Sequence, residues 1–90
     1  MEDIRIERPS REALEEMGAF SWPTWQKEPA TFNWRYDQRE TCYVLEGRAR
    51  VEPRHGAPVE FGAGNLVIFP KGLECVWVIT QAIRKHYRLG

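Results

Sequence analysis

The stretch Gly64-Asn65-Leu66-Val67-Ile68-Phe69-Pro70-Lys71-Gly72-Leu73-Glu74-Cys75 decides how the rest of the chain is read. Its apolar run, Leu66–Phe69, is too short for a helix and has the β-branched and aromatic character of a buried strand. Gly64 supports a tight turn before it. Pro70 and Gly72 form a rigid corner behind it that ends one strand and aims the next. A chain that packs strand, corner and strand into a dozen residues belongs to a sandwich or a barrel.

The same grammar extends in both directions. Upstream, Phe32–Tyr36 reads as a strand and Asp37-Gln38-Arg39 as its polar turn. Thr41–Leu45 follows as a strand, interrupted at Gly47 before Ala49 and Val51 alternate with Arg48, Arg50 and Glu52. His55-Gly56 marks a hairpin turn, Val59–Phe61 a strand, and Gly62-Ala63-Gly64-Asn65 another turn. Downstream, Glu74–Thr80 and Ile83–Leu89 complete the set. Short strands with glycine-rich turns every eight to twelve residues or so predict an all-β sandwich or barrel.

The first thirty residues differ. Ile4 and Ile6 alternate with charged neighbours, as in an edge strand. Ser10 is placed to cap a short helix over Arg11–Met17, with Leu14 and Met17 on one face and Gly18 positioned to end it. Phe20 to Pro29, with two prolines and two tryptophans, reads as a loop packed on the body. One domain over residues 1–90 follows: an N-terminal strand, helix and loop over 1–30 and a barrel core over 31–90.

Composition bounds the function. A 90-residue chain has no room for a second core, and buries only roughly 60–65% of the surface that its unfolded form exposes. Association into a homodimer would relieve that limit and is the expected state. Thirteen basic and thirteen acidic residues cancel, so no global field draws in nucleic acid or an anionic membrane. The charged segment Met1–Arg11 has no apolar core of signal-peptide length, and no run approaches a membrane span, so a soluble cytoplasmic protein is expected. Cys42 and Cys75 form no CxxC pair and read as buried thiols.

Two segments, taken together, resemble a known pattern. Glu40-Thr41-Cys42-Tyr43-Val44-Leu45-Glu46-Gly47 is similar to the end of the first cupin motif, a glutamate and, after six residues, a glycine. Residues 64–75 resemble the second: glycine, five residues, Pro-x-Gly, two residues, then a position that is usually histidine. Asn33-Trp34-Arg35-Tyr36-Asp37, the Trp22-Pro23-Thr24-Trp25 segment and Arg84-Lys85-His86-Tyr87 extend the likeness to nearly the whole chain. They point to small single-domain cupins of the cupin 3 type, related to ureidoglycine aminohydrolase and to an ethanolamine-utilisation protein. The resemblance implies a cupin-type (RmlC-like) jelly-roll β-barrel with one short N-terminal helix, and frequent dimerisation.

The departures from that pattern carry the functional reading. Metal-binding cupins supply two histidines and a glutamate from the first motif and a histidine from the second. Here the first-motif histidine positions fall at Trp34 and Tyr36, or at Asn33 and Arg35 with a longer spacer, and the second-motif position is Cys75. Only Glu40 remains of the family ligands. Glu40 with Cys75, even with Cys42 added from the same strand face, is a poor match to the three or four donors that hold zinc, iron or manganese. No metal and no other cofactor is expected.

On the last strand, Ile83, Lys85, Tyr87 and Leu89 form the more apolar face. This places Lys85 inward, with Glu40 as the partner for its otherwise costly charge; the alternatives are a snorkelling Lys85, or the face that carries His86 turned inward. Cys75 and, by parity, Trp77 face inward as well. The expected cavity is walled by Trp34, Tyr36, Trp77 and Tyr87, with Glu40, Lys85, Cys42 and Cys75 as its polar points. These aromatics fill a small barrel in one reading and line a ligand pocket in the other. Three functions follow: binding of a small polar metabolite; an enzyme on a small nitrogenous or sugar-like metabolite with Glu40 as acid/base; or a structural and interaction protein.

Overall fold

The structure is a computed structural model that describes residues 3–90; the first two residues of the domain read over 1–90 lie outside the described residues. Seven strands and one helix follow one another as β1 (Arg5–Glu7), α1 (Arg11–Met17), β2 (Thr24–Lys27), β3 (Ala30–Arg35), β4 (Glu40–Pro53), β5 (Val59–Gly62), β6 (Leu66–Phe69) and β7 (Glu74–Leu89). All strand pairs are antiparallel.

Two long strands organise the rest. β4 and β7 pair with each other along nearly their whole length, from Glu40 opposite Leu89 to Pro53 opposite Cys75. The first part of β4 takes β6 on its other side and its second part takes β5. In the same way, the first part of β7 takes β3 and its second part takes β2. Two facing sheets result, β5-β4-β7-β3 and β1-β6-β4-β7-β2, which share the long strands. This is the jelly-roll barrel that the resemblance implies, and it agrees with the sandwich or barrel expected from the strand spacing.

Gly47 is not a break between two strands, as the sequence suggests, but the bend within one. The β4–β7 register shifts three times between Val44 and Ala49, the signature of bulges that sharpen strand curvature. Gly47 sits there at φ 91°, and a methyl group on it would collide with the Ala82 carbonyl of β7. The 80–83 interval likewise stays within β7 rather than separating two strands. The bend lets one strand pass from one sheet to the other without losing its partner.

The short helix lies where the sequence places it. The Ser10 hydroxyl accepts from the Ala13 amide at 3.1 Å, and Gly18 closes the C-terminus in the left-handed region. Leu14 packs with Ala19 and Leu66 on the outer surface of the sheet, bordered by Trp22 and Tyr43. The segment after it corrects the sequence reading. Phe20–Pro29 is not a plain loop: a 3-10 turn at Ala19–Ser21 is followed by β2, whose Thr24–Lys27 pair with Ile83–His86. The flanking Pro23 and Pro29 hide this strand, because proline signals a turn wherever it falls. Inside the barrel, alternate residues of β4 and β7, among them Cys42, Val44, Trp77, Ile79 and Ile83, join Phe61 and Phe69 in one core. Among the described residues no helix is long and apolar enough to cross a membrane.

Two of the positive-φ glycines, Gly18 and Gly47, separate backbone strain from steric collision. Nothing lies within 4 Å of a Cβ built on Gly18, so Gly18→Ala should cost about 1–2 kcal/mol of stability from the left-handed conformation alone. Gly47→Ala adds a clash with backbone that cannot yield, and should cost at least about twice as much. Urea denaturation of both variants checks this; equal losses would remove the bend from the account of the fold.

Candidate functional site

One mouth of the barrel opens into a cavity of about 240 Å³ between the ends of β2, β3, β4 and β7. Six of the residues expected from the sequence line it: Trp34, Tyr36, Glu40, Trp77, Lys85 and Tyr87. The inward set on and just after β3 is therefore Trp34 and Tyr36, the positions given by the shorter spacer, not Asn33 and Arg35. Trp25, Phe32 and Leu89 complete the lining and were missed. Phe32 and Leu89 share strand parity with Trp34 and Lys85, so the signal for them was present. Trp25 was hidden by the prolines that mask β2.

At the floor of the cavity, Lys85 donates from Nζ to Glu40 Oε2 at 2.6 Å, with both residues buried. Strand geometry brings them together. Glu40 opens β4, Lys85 lies opposite Val44 near the end of β7, and both side chains turn to the inner face. The ammonium is held on its other sides by π-faces, 4.8 Å from the Trp77 ring centre and 5.1 Å from that of Trp25. Such contacts add about 0.5–1 kcal/mol each at exposed sites and about 2 kcal/mol when water is excluded. Charge, hydrogen bond and ring quadrupoles together offset the cost of burying an ammonium.

The rings hold one another as firmly. Trp77 is 2% exposed and donates its indole N–H to the Tyr36 hydroxyl at 3.0 Å. Phe32 stacks against Trp77 at 6.2 Å with planes 5° apart, and Tyr36 stacks on Phe69 at 4.7 Å. Burial, reinforced by the nearby Glu40 charge, pushes the Tyr36 hydroxyl well above its ordinary range, so it keeps its proton at any physiological pH. Trp34 differs from the other walls. It is 51% exposed and stands at the rim with Leu89, its edge toward Tyr36 and Phe32.

The two cysteines do not share this cavity. Cys42 is fully buried in the core of the barrel, and Cys75 lines a separate open groove with Asn33, Arg35 and Arg54. Their expected place among the polar points of the pocket is thus corrected: Cys42 shares the inner face of β4 with Glu40 but is wholly covered by its neighbours, and Cys75 shares the face of Trp77 without joining the lining. The metal question follows from the same geometry. Among the described residues no three His, Cys, Asp or Glu side chains converge as a metal site needs. Trp34 and Tyr36 stand at the inward first-motif positions, and the carboxylate of Glu40 is engaged by an ammonium. This donor set does not fit a zinc, iron or manganese ion.

With this geometry in place, comparison with known proteins is informative. Residues 14–87 match the family model described as the EutQ-like cupin domain. A DUF861-family protein of Thermotoga maritima has a similar structure, 44% identical with a TM-score of 0.95, over 98% of this chain and 100% of that one. The EutQ protein of Clostridium difficile is 24% identical with a TM-score of 0.67 over 73% of this chain, and a candidate ethanolamine utilization protein Q of Salmonella typhimurium is 27% identical with the same score and share. This chain corresponds to 52% and 53% of those two. No curated protein matches the sequence.

The buried thiols make alkaline stability a readout of core burial. Desolvation pushes the Cys42 thiol from its ordinary 9.0 up to about 11, despite the opposing pull of the Lys85 charge. The unfolded chain therefore releases this proton first, and the contribution to stability is lost as pH rises from 9.0 through about 11. The thiol's share is up to about 3 kcal/mol. Stability measured by chemical denaturation should fall less steeply across that window in Cys42→Ala than in the parent protein; parallel slopes would contradict a fully buried thiol.

Proposed function

The chain belongs to the EutQ-like cupin family, and from that premise we propose that it is a metal-independent binding protein that takes a small polar molecule into the mouth of its barrel. The observation that carries the reading is the ion pair at the floor of an otherwise aromatic cavity. Apolar walls with a few convergent polar groups are the usual make-up of a small-molecule site. A barrel that needed only to fill its interior would have little reason to keep two charges there, since an apolar pair of similar volume is as stable or more so.

The site is built for recognition more than for catalysis. Glu40, Lys85 and Tyr87 are the exchangeable groups of the lining beside the covered Tyr36, and the contact of Glu40 Oε2 with Lys85 ties the first two to each other. A ligand that satisfies the pair in place need not break that contact. The volume of about 240 Å³ falls below the roughly 300–1,000 Å³ of sites for drug-sized ligands, which limits the ligand to the size of a single ring or short chain.

Tryptophan emission provides the test. Of the four tryptophans, Trp25, Trp34 and Trp77 line the cavity, so a ligand that enters changes their surroundings. Titration with a panel of single-ring and short-chain polar metabolites should give saturable emission changes with at least one of them, together with a raised melting midpoint. The Trp77 share of the change should be lost in Trp77→Leu, with Trp25 and Trp34 still reporting. A panel that moves neither emission nor melting point overturns the proposal.

A further inference from the structure

Resting on the reading of this cavity as a binding site, we infer that its ligand is an uncharged planar ring that carries an amide-type edge, a carbonyl beside an N–H, which docks on the Glu40–Lys85 pair. The first argument is charge. The charged residues of the cavity wall are Glu40 and Lys85, and they cancel at 2.6 Å. An anionic ligand would compete with Glu40 for the ammonium and leave a carboxylate uncompensated. A cationic ligand meets the converse problem, and the aromatic faces that would hold it, those of Trp77 and Trp25, already hold Lys85. Either charged guest leaves a net charge in a desolvated site, which is costly.

The second argument is the hydrogen-bond inventory. Lys85 has three N–H donors and uses one on Glu40. The Tyr36 hydroxyl accepts from the Trp77 indole, and among the described residues its own proton has no acceptor. Glu40 Oε1 has no partner among them either, yet it is not sealed off as a buried, unpaired atom. Two Lys85 N–H groups, flanked by the Trp25 and Trp77 rings, and the Tyr36 O–H thus make no hydrogen bond to an oxygen or nitrogen among the described residues, and Glu40 Oε1 is open beside the ion pair. A carbonyl oxygen answers Lys85 and Tyr36, and an adjacent N–H answers Glu40, with no change in total charge.

The third argument is the shape of the remaining surface. Away from the pair the walls are mainly the ring faces of Trp25, Phe32, Trp34, Trp77 and Tyr87. A flat ring buries both faces against such walls. A polyhydroxylated ring of the same size would bury hydroxyls around its whole rim, more than the pair and the Tyr87 hydroxyl can satisfy.

Three near-isosteric probes separate the cases: benzamide is neutral, benzoate is anionic and benzamidinium cationic, with glucose as the polyhydroxyl control. Binding to the intact chain at neutral pH, followed by saturation-transfer and chemical-shift NMR, should rank benzamide at least about tenfold tighter than the other three. Glu40→Gln should move the preference toward benzoate and Lys85→Met toward benzamidinium, because each leaves one charge for a ligand to answer. If benzoate, benzamidinium or glucose binds the parent protein as tightly as benzamide, the inference fails while the cavity remains a binding site. If none of the four shifts a resonance of the cavity, the inference fails, and a positive metabolite panel would keep the broader reading alive. The parent-protein ranking decides the matter even if a variant does not fold.

Discussion

A carboxylate enclosed by aromatic rings must be neutralised, and the way this chain does so governs the rest of the molecule. Glu40 stands at the position where the cupin pattern places a metal ligand, but the histidines that would share the metal are replaced by Trp34, Tyr36 and Cys75. The Lys85 ammonium, 2.6 Å from the Glu40 oxygen, supplies the missing positive charge from within the chain. A lysine can do this because its charge is compact and its long stem reaches the barrel floor from the neighbouring strand. Trp25 and Trp77, which stand at none of the ligand positions, cage the ammonium, since their faces present negative charge density to it.

The pair requires a frame that keeps β4 and β7 in register, because one partner comes from each. The long antiparallel pairing provides it, and the bulged bend at Gly47 lets both strands run through two sheets while staying together. Lengthening the strands instead of adding turns also places the pair deep in the fold: Lys85 has β4 on one side and β2 on the other. β2 therefore has a role beyond covering an edge, since it carries the Trp25 face on which Lys85 rests.

Much of this was legible in the sequence, and the reasons differ from element to element. Ser10 and Gly18 bracket the helix because capping is local chemistry, readable within one turn. Lys85 could be placed inward, and matched to Glu40, because strand parity and the cost of a buried charge are both strong constraints. Trp25 could not be found, since proline punctuation outweighed the weak strand signal of a four-residue segment whose pairing is set by the tertiary fold. The cysteines were assigned to the inner face but not to their place on it, because alternation fixes which face a residue takes and says nothing of which larger neighbours cover it. The merging of Thr41–Leu45 with Ala49–Val51 into one strand has the same origin: a glycine reads as a stop in sequence and acts as a bend once a partner strand spans it.

The claim at the centre of this account is that Glu40 and Lys85 act as one unit inside the barrel. A double-mutant cycle measures that directly: the stability of the parent protein, Glu40→Gln, Lys85→Met and the double variant, each by urea denaturation at neutral pH. The account predicts that the Lys85→Met change, which strands a buried carboxylate, costs about 3–5 kcal/mol. It predicts that the double variant loses much less than the sum of the two single changes, with a coupling of about 2 kcal/mol or more. Single losses that add to within about 0.5 kcal/mol would mean that the two charges do not depend on each other, and would contradict it.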